Sequence, residues 1–119
     1  DPWNLRPPLA LAQLFLDRNR PDAALAQAEA ALQLAPRDWR ALGRRGEALL
    51  ALRRFQEAAE SFDRVIELRP RLPYPRYLLA RALTSLDRSD EAKAELRKSL
   101  DLDPGFTPAS RLLSELEQG

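Results

Sequence analysis

Proline stands at positions 36, 70 and 104, two equal steps of 34 residues. The same step superposes Ala24, Ala58 and Ala92, then Ala12, Gly46 and Ala80, then Phe15, Leu49 and Leu83, and also Leu34, Leu68 and Leu102. Each proline closes a kindred phrase: "LQLAP", "IELRP" and "LDLDP". A period of this length means a stack of similar supersecondary units, because each unit has too little apolar surface to form a core alone. Within each unit apolar residues recur at three- and four-residue spacings in two runs, parted by the polar breaks "DRNRP", "RRF" and "DRS". That spacing predicts two helices per unit, a helical hairpin.

The predicted helices run over about 7–17, 21–34, 39–52, 55–69, 75–86 and 89–102, with a seventh from 108 to about 117. Alanine, leucine, arginine and glutamate dominate, and the only valine and isoleucine are Val65 and Ile66, so the fold class is all-α. Asp38, Ser89 and Thr107 are placed to cap helix starts, and Pro7, Pro21, Pro75 and Pro108 suit first turns. Pro36, Pro70 and Pro104 stop the second helix of each unit, since proline restrains the residue before it and lacks the amide hydrogen that would continue the helix. The stretch "PRLPYP", with Pro70, Pro73 and Pro75, reads as a stiff linker. Gly46 shares its column with two alanines. The column demands a minimal side chain so that paired helices approach closely, with Phe15, Leu49, Leu83, Phe62 and Leu96 filling the space beside it.

The 34-residue unit, its two helices, the small residues at its eighth and twentieth places and the proline at its thirty-second resemble the tetratricopeptide repeat. The repeats are then 5–38, 39–72 and 73–106, and 107–118 resembles the capping helix that closes such arrays, making 1–119 a single domain. Repeat two matches best, with Leu42, Gly46, Leu49, Ala58, Phe62 and Pro70 in family columns; repeat one departs at Pro8 and Ala28, and repeat three at Arg76 and Ser99. Leu112, Leu113 and Leu116 form one apolar stripe on the last helix, with Ser110, Ser114, Glu117 and Gln118 turned elsewhere.

The resemblance implies an α-solenoid of antiparallel helix pairs, seven helices in all, whose concave face binds an extended peptide or a partner helix. Its groove-facing places carry over to Arg6, Leu9, Gln13 and Leu16, to Arg40, Gly43, Arg44 and Glu47, and to Tyr74, Tyr77, Arg81 and Thr84, with Arg111 and Glu115 of the cap at the border. Arginine offers bidentate contacts to carboxylates and tyrosine a broad rigid face, which points to a protein or peptide partner bearing a carboxylate beside an apolar anchor. Chaperone-binding members grip a C-terminal carboxylate with a set of lysine, asparagine and arginine residues. Leu9 and Gln13 occupy the first two of those places, which argues against a chaperone-tail receptor.

Composition narrows the remaining classes. Cysteine and histidine are absent, which removes disulfides, thiolate nucleophiles, imidazole bases and the usual zinc ligands, so neither a cofactor nor a metal is expected. Nineteen basic and 18 acidic residues are interleaved, for a net charge of +1, so the overall field attracts neither nucleic acid nor an anionic membrane. Arg44, Arg45, Arg53 and Arg54 lie close in sequence and, with Tyr74 and Tyr77, are residues of a kind that bind single-stranded nucleic acid, but the near-neutral net charge and nearby Glu47 and Glu57 argue against it. No apolar run reaches the roughly 18 residues of a membrane span. Carboxylates such as Glu57, Glu60 and Asp63 read as solubilising charge, and no phosphate loop, EF-hand or nucleophile elbow is present; the chain is not expected to be an enzyme. Trp39 is expected to pack across a repeat junction and Trp3 along the first helix pair.

Methionine is absent even at position 1, as expected of a piece of something longer, and the excess of arginine over lysine suggests a bacterial genome rich in GC. The function expected is a protein-interaction module, monomeric. Two alternatives accompany it: an assembly or scaffold segment of a larger bacterial enzyme or secretion apparatus, and a dimer formed by end-stacking or helix exchange. The sequence sets no compartment.

Overall fold

A computed structural model describes residues 8–119, so Trp3, Arg6 and Pro7 lie outside the described residues. Seven helices follow one another among them: α1 (Pro8–Asp17), α2 (Pro21–Leu34), α3 (Trp39–Ala51), α4 (Phe55–Leu68), α5 (Pro73–Ser85), α6 (Ser89–Leu102) and α7 (Thr107–Gln118). Each packs on the next, and α1 also touches α3 as α3 touches α5. The first helices of the repeats therefore form one layer and the second helices another, an α-solenoid. Its extents are 51 × 25 × 21 Å and its radius of gyration is 14.7 Å, larger than the roughly 13 Å of a compact globule of this length.

The hairpin turns repeat as faithfully as the prolines. Asn19, Arg53 and Asp87, 34 residues apart, all have positive φ, at 57°, 62° and 61°. The amides that follow reach back to close each turn: Arg20 N to the Phe15 carbonyl at 2.8 Å, Arg54 N to Leu49 at 2.9 Å and Arg88 N to Leu83 at 2.9 Å. A left-handed residue followed by such a bond is the Schellman way of ending a helix, here built without glycine.

The second helices stop as predicted, with Ala35, Arg69 and Asp103 donating their amides to Ala31, Val65 and Ser99 just before each proline. Helix starts follow the sequence expectation only in part. Asp38 caps α3, its Oδ1 accepting from the Arg40 amide at 3.0 Å. Ser89 and Thr107 do not cap: the N-caps are Arg88 and Phe106, and both polar residues are already helical. The Thr107 hydroxyl points back to the Gly105 carbonyl at 3.4 Å. Arg88 instead grips Glu91 in the first turn of α6 with bonds of 2.9 and 2.6 Å, as Arg54 grips Glu57 in α4 at 3.0 and 2.8 Å. The supposed linker "PRLPYP" is half helix, since α5 begins at Pro73, where proline needs no amide partner.

Ala12, Ala24, Ala58, Ala80 and Ala92 are wholly buried, with Leu49, Phe62 and Leu96 between them, and Phe15 packs at the margin. The Leu34, Leu68 and Leu102 column keeps the period without joining this core: Leu34 is 78% exposed. In α7, Leu112, Leu113 and Leu116 pack on the core as expected, and Ala109 is buried completely. The departures in repeat three compensate one another. Arg76 reaches from α5 to Glu95 of α6 at 3.1 Å and to the Pro70 carbonyl at 3.2 Å, while the buried Ser99 hydroxyl donates to the Pro73 carbonyl at 2.8 Å.

Candidate functional site

The layer of α1, α3 and α5, with α7 beside it, carries the groove places named from the sequence. On α1, Leu9, Gln13 and Leu16 are half-buried; Gln13 donates to Asp17 at 2.8 Å and Leu16 packs on the core. Arg6 lies outside the described residues. The chemistry concentrates on α3, α5 and α7.

Two recesses flank α5. One lies between α5 and α7, has a volume of about 490 Å³ and is lined by Tyr77, Arg81, Pro108, Arg111, Leu112 and Glu115. Arg81 lies 5.9 Å from the centre of the Tyr77 ring, a cation–π distance. Neither Arg81 nor Arg111 forms an ion pair among the described residues, and both are exposed. The second recess is a notch of about 50 Å³ between α3 and α5, where Trp39, Gly43 and Arg44 face Tyr74 and Leu78 over the buried Phe62.

Between the recesses stands an aromatic cluster. Tyr74 and Tyr77 stack with centroids 6.1 Å apart, and Phe106 meets both rings edge-on at 6.3 and 5.9 Å. The sequence reading missed Phe106. Its only signal is a large aromatic immediately before the last helix, in a column otherwise held by Asp38 and Leu72. The Tyr74 hydroxyl donates to Glu47 Oε1 at 3.0 Å, joining repeat three to repeat two across the notch. Burial first, and then the Glu47 carboxylate, push this hydroxyl up to about 12.

Of the remaining candidates, Arg44 pairs with Glu47 at 3.4 Å, Arg40 is bound at 3.5 Å to the Asp38 that caps its own helix, and the Thr84 hydroxyl is spent on the Ala80 carbonyl. Arg45 turns away to Ser61 on α4 at 2.6 Å and to Glu29 on α2 at 3.6 Å. Arg53 lies over Phe55, and Arg69 over the Trp39 ring at 5.5 Å, so Trp39 packs within its own repeat as well as lining the notch. Glu57 is held below the ordinary carboxylate range, chiefly by its hydrogen bonds from Arg54. Asp63 is raised by burial and then by Glu95 and Glu67, on the far side of the layer from the groove residues. Among the described residues, no group of acidic side chains is arranged to hold a metal ion, and no helix is long and apolar enough to cross a membrane.

Two family profiles described as tetratricopeptide repeat match residues 9–73 and 49–116. The chain is 32% identical over 110 residues to the tetratricopeptide repeat and J domain-containing co-chaperone DNJ1 of Fusarium oxysporum f. sp. lycopersici. The match spans 92% of this chain and 20% of that protein. Among solved structures, the first TPR of Spaghetti (RPAP3) bound to the HSP90 peptide SRMEEVD superposes with a TM-score of 0.88 at 19% identity, covering 94% of this chain and 91% of that one. The second TPR domain of human RPAP3 in complex with the HSP70 peptide SGPTIEEVD gives 0.88 at 20% identity, covering 93% and 92%. At such identities the likeness is one of fold.

Proposed function

The chain belongs to the tetratricopeptide-repeat family, a fold of protein-interaction modules, and we propose that it binds an extended, carboxylate-bearing peptide along the face of α3, α5 and α7. The observation that carries this reading is the pair Arg81 and Arg111, both free of ion pairs among the described residues and lining one recess of about 490 Å³ beside Tyr77. Two guanidinium groups in one recess, next to an aromatic face, suit a carboxylate followed by an apolar group. Glu115, on the same wall, disfavours a second negative charge at its end of the recess.

The peptides held by the two similar domains, SRMEEVD and SGPTIEEVD, both end in acidic residues, which supports the class of ligand. The position differs from the chaperone-tail pattern, because Leu9 and Gln13 stand at its first two places and the arginines free of ion pairs among the described residues that line the recess lie on α5 and α7. A peptide-display selection on this chain, repeated with an Arg81→Glu, Arg111→Glu variant, tests the reading. Peptides sharing an acidic residue or a free C-terminus are expected, with affinity at least about tenfold weaker for the variant, as for loss of a desolvated charge contact. Equal binding to both proteins, or no enrichment by either, overturns it.

A further inference from the structure

Gly43 is the one groove place without a side chain, and its surroundings are shaped as if something else were to supply it. A Cβ built at Gly43 meets no atom of the described residues within 4 Å, whereas one at Gly46, a turn further along the same helix, collides with Phe62. The space above Gly43 is the notch of about 50 Å³, room for a few waters or one small branched side chain. Its base is apolar, from Phe62 and Leu78, and Trp39 and Tyr74 stand at its sides. Arg44 also lines it, and the Arg44 Nε is buried with no hydrogen-bond partner among the described residues.

We infer that the notch over Gly43 is a selectivity pocket that takes one small aliphatic side chain, of about valine size, from the same peptide. The inference rests on the peptide-binding reading above and adds the identity of the anchor. Volume sets the size limit, since the notch holds about 50 Å³ and Phe62, Val65 and Leu78 in its lining are buried. Charge sets the context: Arg40 and Arg44 stand at this end, and Arg81 and Arg111 in the other recess. Packed helices lie about 8–10 Å apart and an extended chain advances about 3.3 Å per residue, so recesses on either side of α5 call for an anchor and a carboxylate about three residues apart.

The test uses peptides enriched on the natural chain by display, measured by fluorescence anisotropy against the natural protein, Gly43→Leu, Gly43→Ala, and the Arg81→Glu, Arg111→Glu variant. Enriched sequences are expected to share a small aliphatic residue about three positions from an acidic residue or the free C-terminus. Gly43→Leu is expected to weaken them at least tenfold, and Gly43→Ala less. Replacing the anchor by glycine in the peptide is expected to weaken binding to the natural chain and leave binding to Gly43→Leu unchanged, because the pocket is then already filled. Circular dichroism and thermal unfolding of Gly43→Leu and Gly43→Ala guard against a folding artefact. If Gly43→Leu binds undiminished while the double arginine variant fails, the notch is overturned and the peptide reading stands. If the natural chain enriches no peptide, both fall together.

Discussion

Gly46 lies directly beneath the ring of Phe62: a Cβ at this position would sit 2.5 Å from Cε1 and 2.7 Å from Cζ. Phe62 is 1% exposed, and the only space beside its ring among the recesses described is the notch of about 50 Å³ that it floors. The equivalent pairs one repeat away are Ala12 with Ala28 and Ala80 with Leu96, so the small place tolerates alanine wherever its partner place holds less than a phenylalanine. Gly46→Ala should therefore destabilise by roughly 1–3 kcal/mol through overpacking, despite alanine's better helix propensity. Adding Phe62→Leu, which reproduces the repeat-three pair, should recover part of the loss beyond additivity. Gly43→Ala, in open space on the same helix, should have the opposite sign and stabilise by about 1 kcal/mol. Urea midpoints of the parent, Gly46→Ala, Phe62→Leu, their double variant and Gly43→Ala decide the matter, and a destabilised Gly43→Ala would contradict the geometry.

Arg53 occupies the left-handed turn position that Asn19 and Asp87 hold in the other repeats. Asparagine and aspartate tolerate that conformation, and arginine gains nothing there from its side chain's length. Its guanidinium does lie 5.3 Å from the Phe55 ring, a contact of modest value at an exposed position. Relief of backbone strain should outweigh it, so Arg53→Gly is expected to stabilise by about 0.5–1 kcal/mol. Thermal unfolding would show a higher midpoint; an unchanged or lower one would mean that the ring contact, or the flexibility glycine gives the unfolded chain, offsets the strain.

These turns show where the sequence was legible. The apolar columns announce the helices because burial imposes the same demand in every repeat: Ala24, Ala58 and Ala92 are all wholly inaccessible. The left-handed column went unread because asparagine, arginine and aspartate share no chemistry, only a backbone angle. Ser89 and Thr107 looked like caps by type, but Arg88 and Phe106 set the phase, one residue earlier. Family position named Tyr77, Arg81 and Arg111 as candidates, while the recess they line depends on how α7 lies against α5 and on Phe106. No pattern within one helix encodes such a contact.

Arg76 and Glu95, each less than one-fifth exposed, tie α5 to α6, and Lys98 adds a second bond to Glu95 at 3.4 Å. Removing Arg76 leaves Glu95 partly desolvated with only an exposed lysine, and frees the Pro70 carbonyl as well. Arg76→Ala is expected to cost about 1–3 kcal/mol. Arg76→Leu with Glu95→Leu should cost less than the single alanine change, because no half-buried charge then remains unpaired. Chemical denaturation of both variants tests this, and an Arg76→Ala protein as stable as the parent would show the pair to be fully screened by water.

Tyr74 and Glu47 join two repeats across the notch by one hydrogen bond of 3.0 Å, and the bond has a pH signature. The phenol is pushed up to about 12, by burial first and by the carboxylate second, while in the unfolded chain it ionises near 10. Between those values the folded protein holds a proton that the unfolded chain has released, so stability falls as pH rises. The contribution is complete below about pH 10 and is lost as pH climbs through about 12. Ultraviolet titration should show a tyrosinate step near 12 that Tyr74→Phe abolishes. Glu47→Gln should move the step down without returning it to 10, because burial, the larger cause, remains. A step that survives Tyr74→Phe belongs to another group and refutes the assignment, and one that Glu47→Gln leaves in place would show that the carboxylate contributes nothing across the repeat boundary.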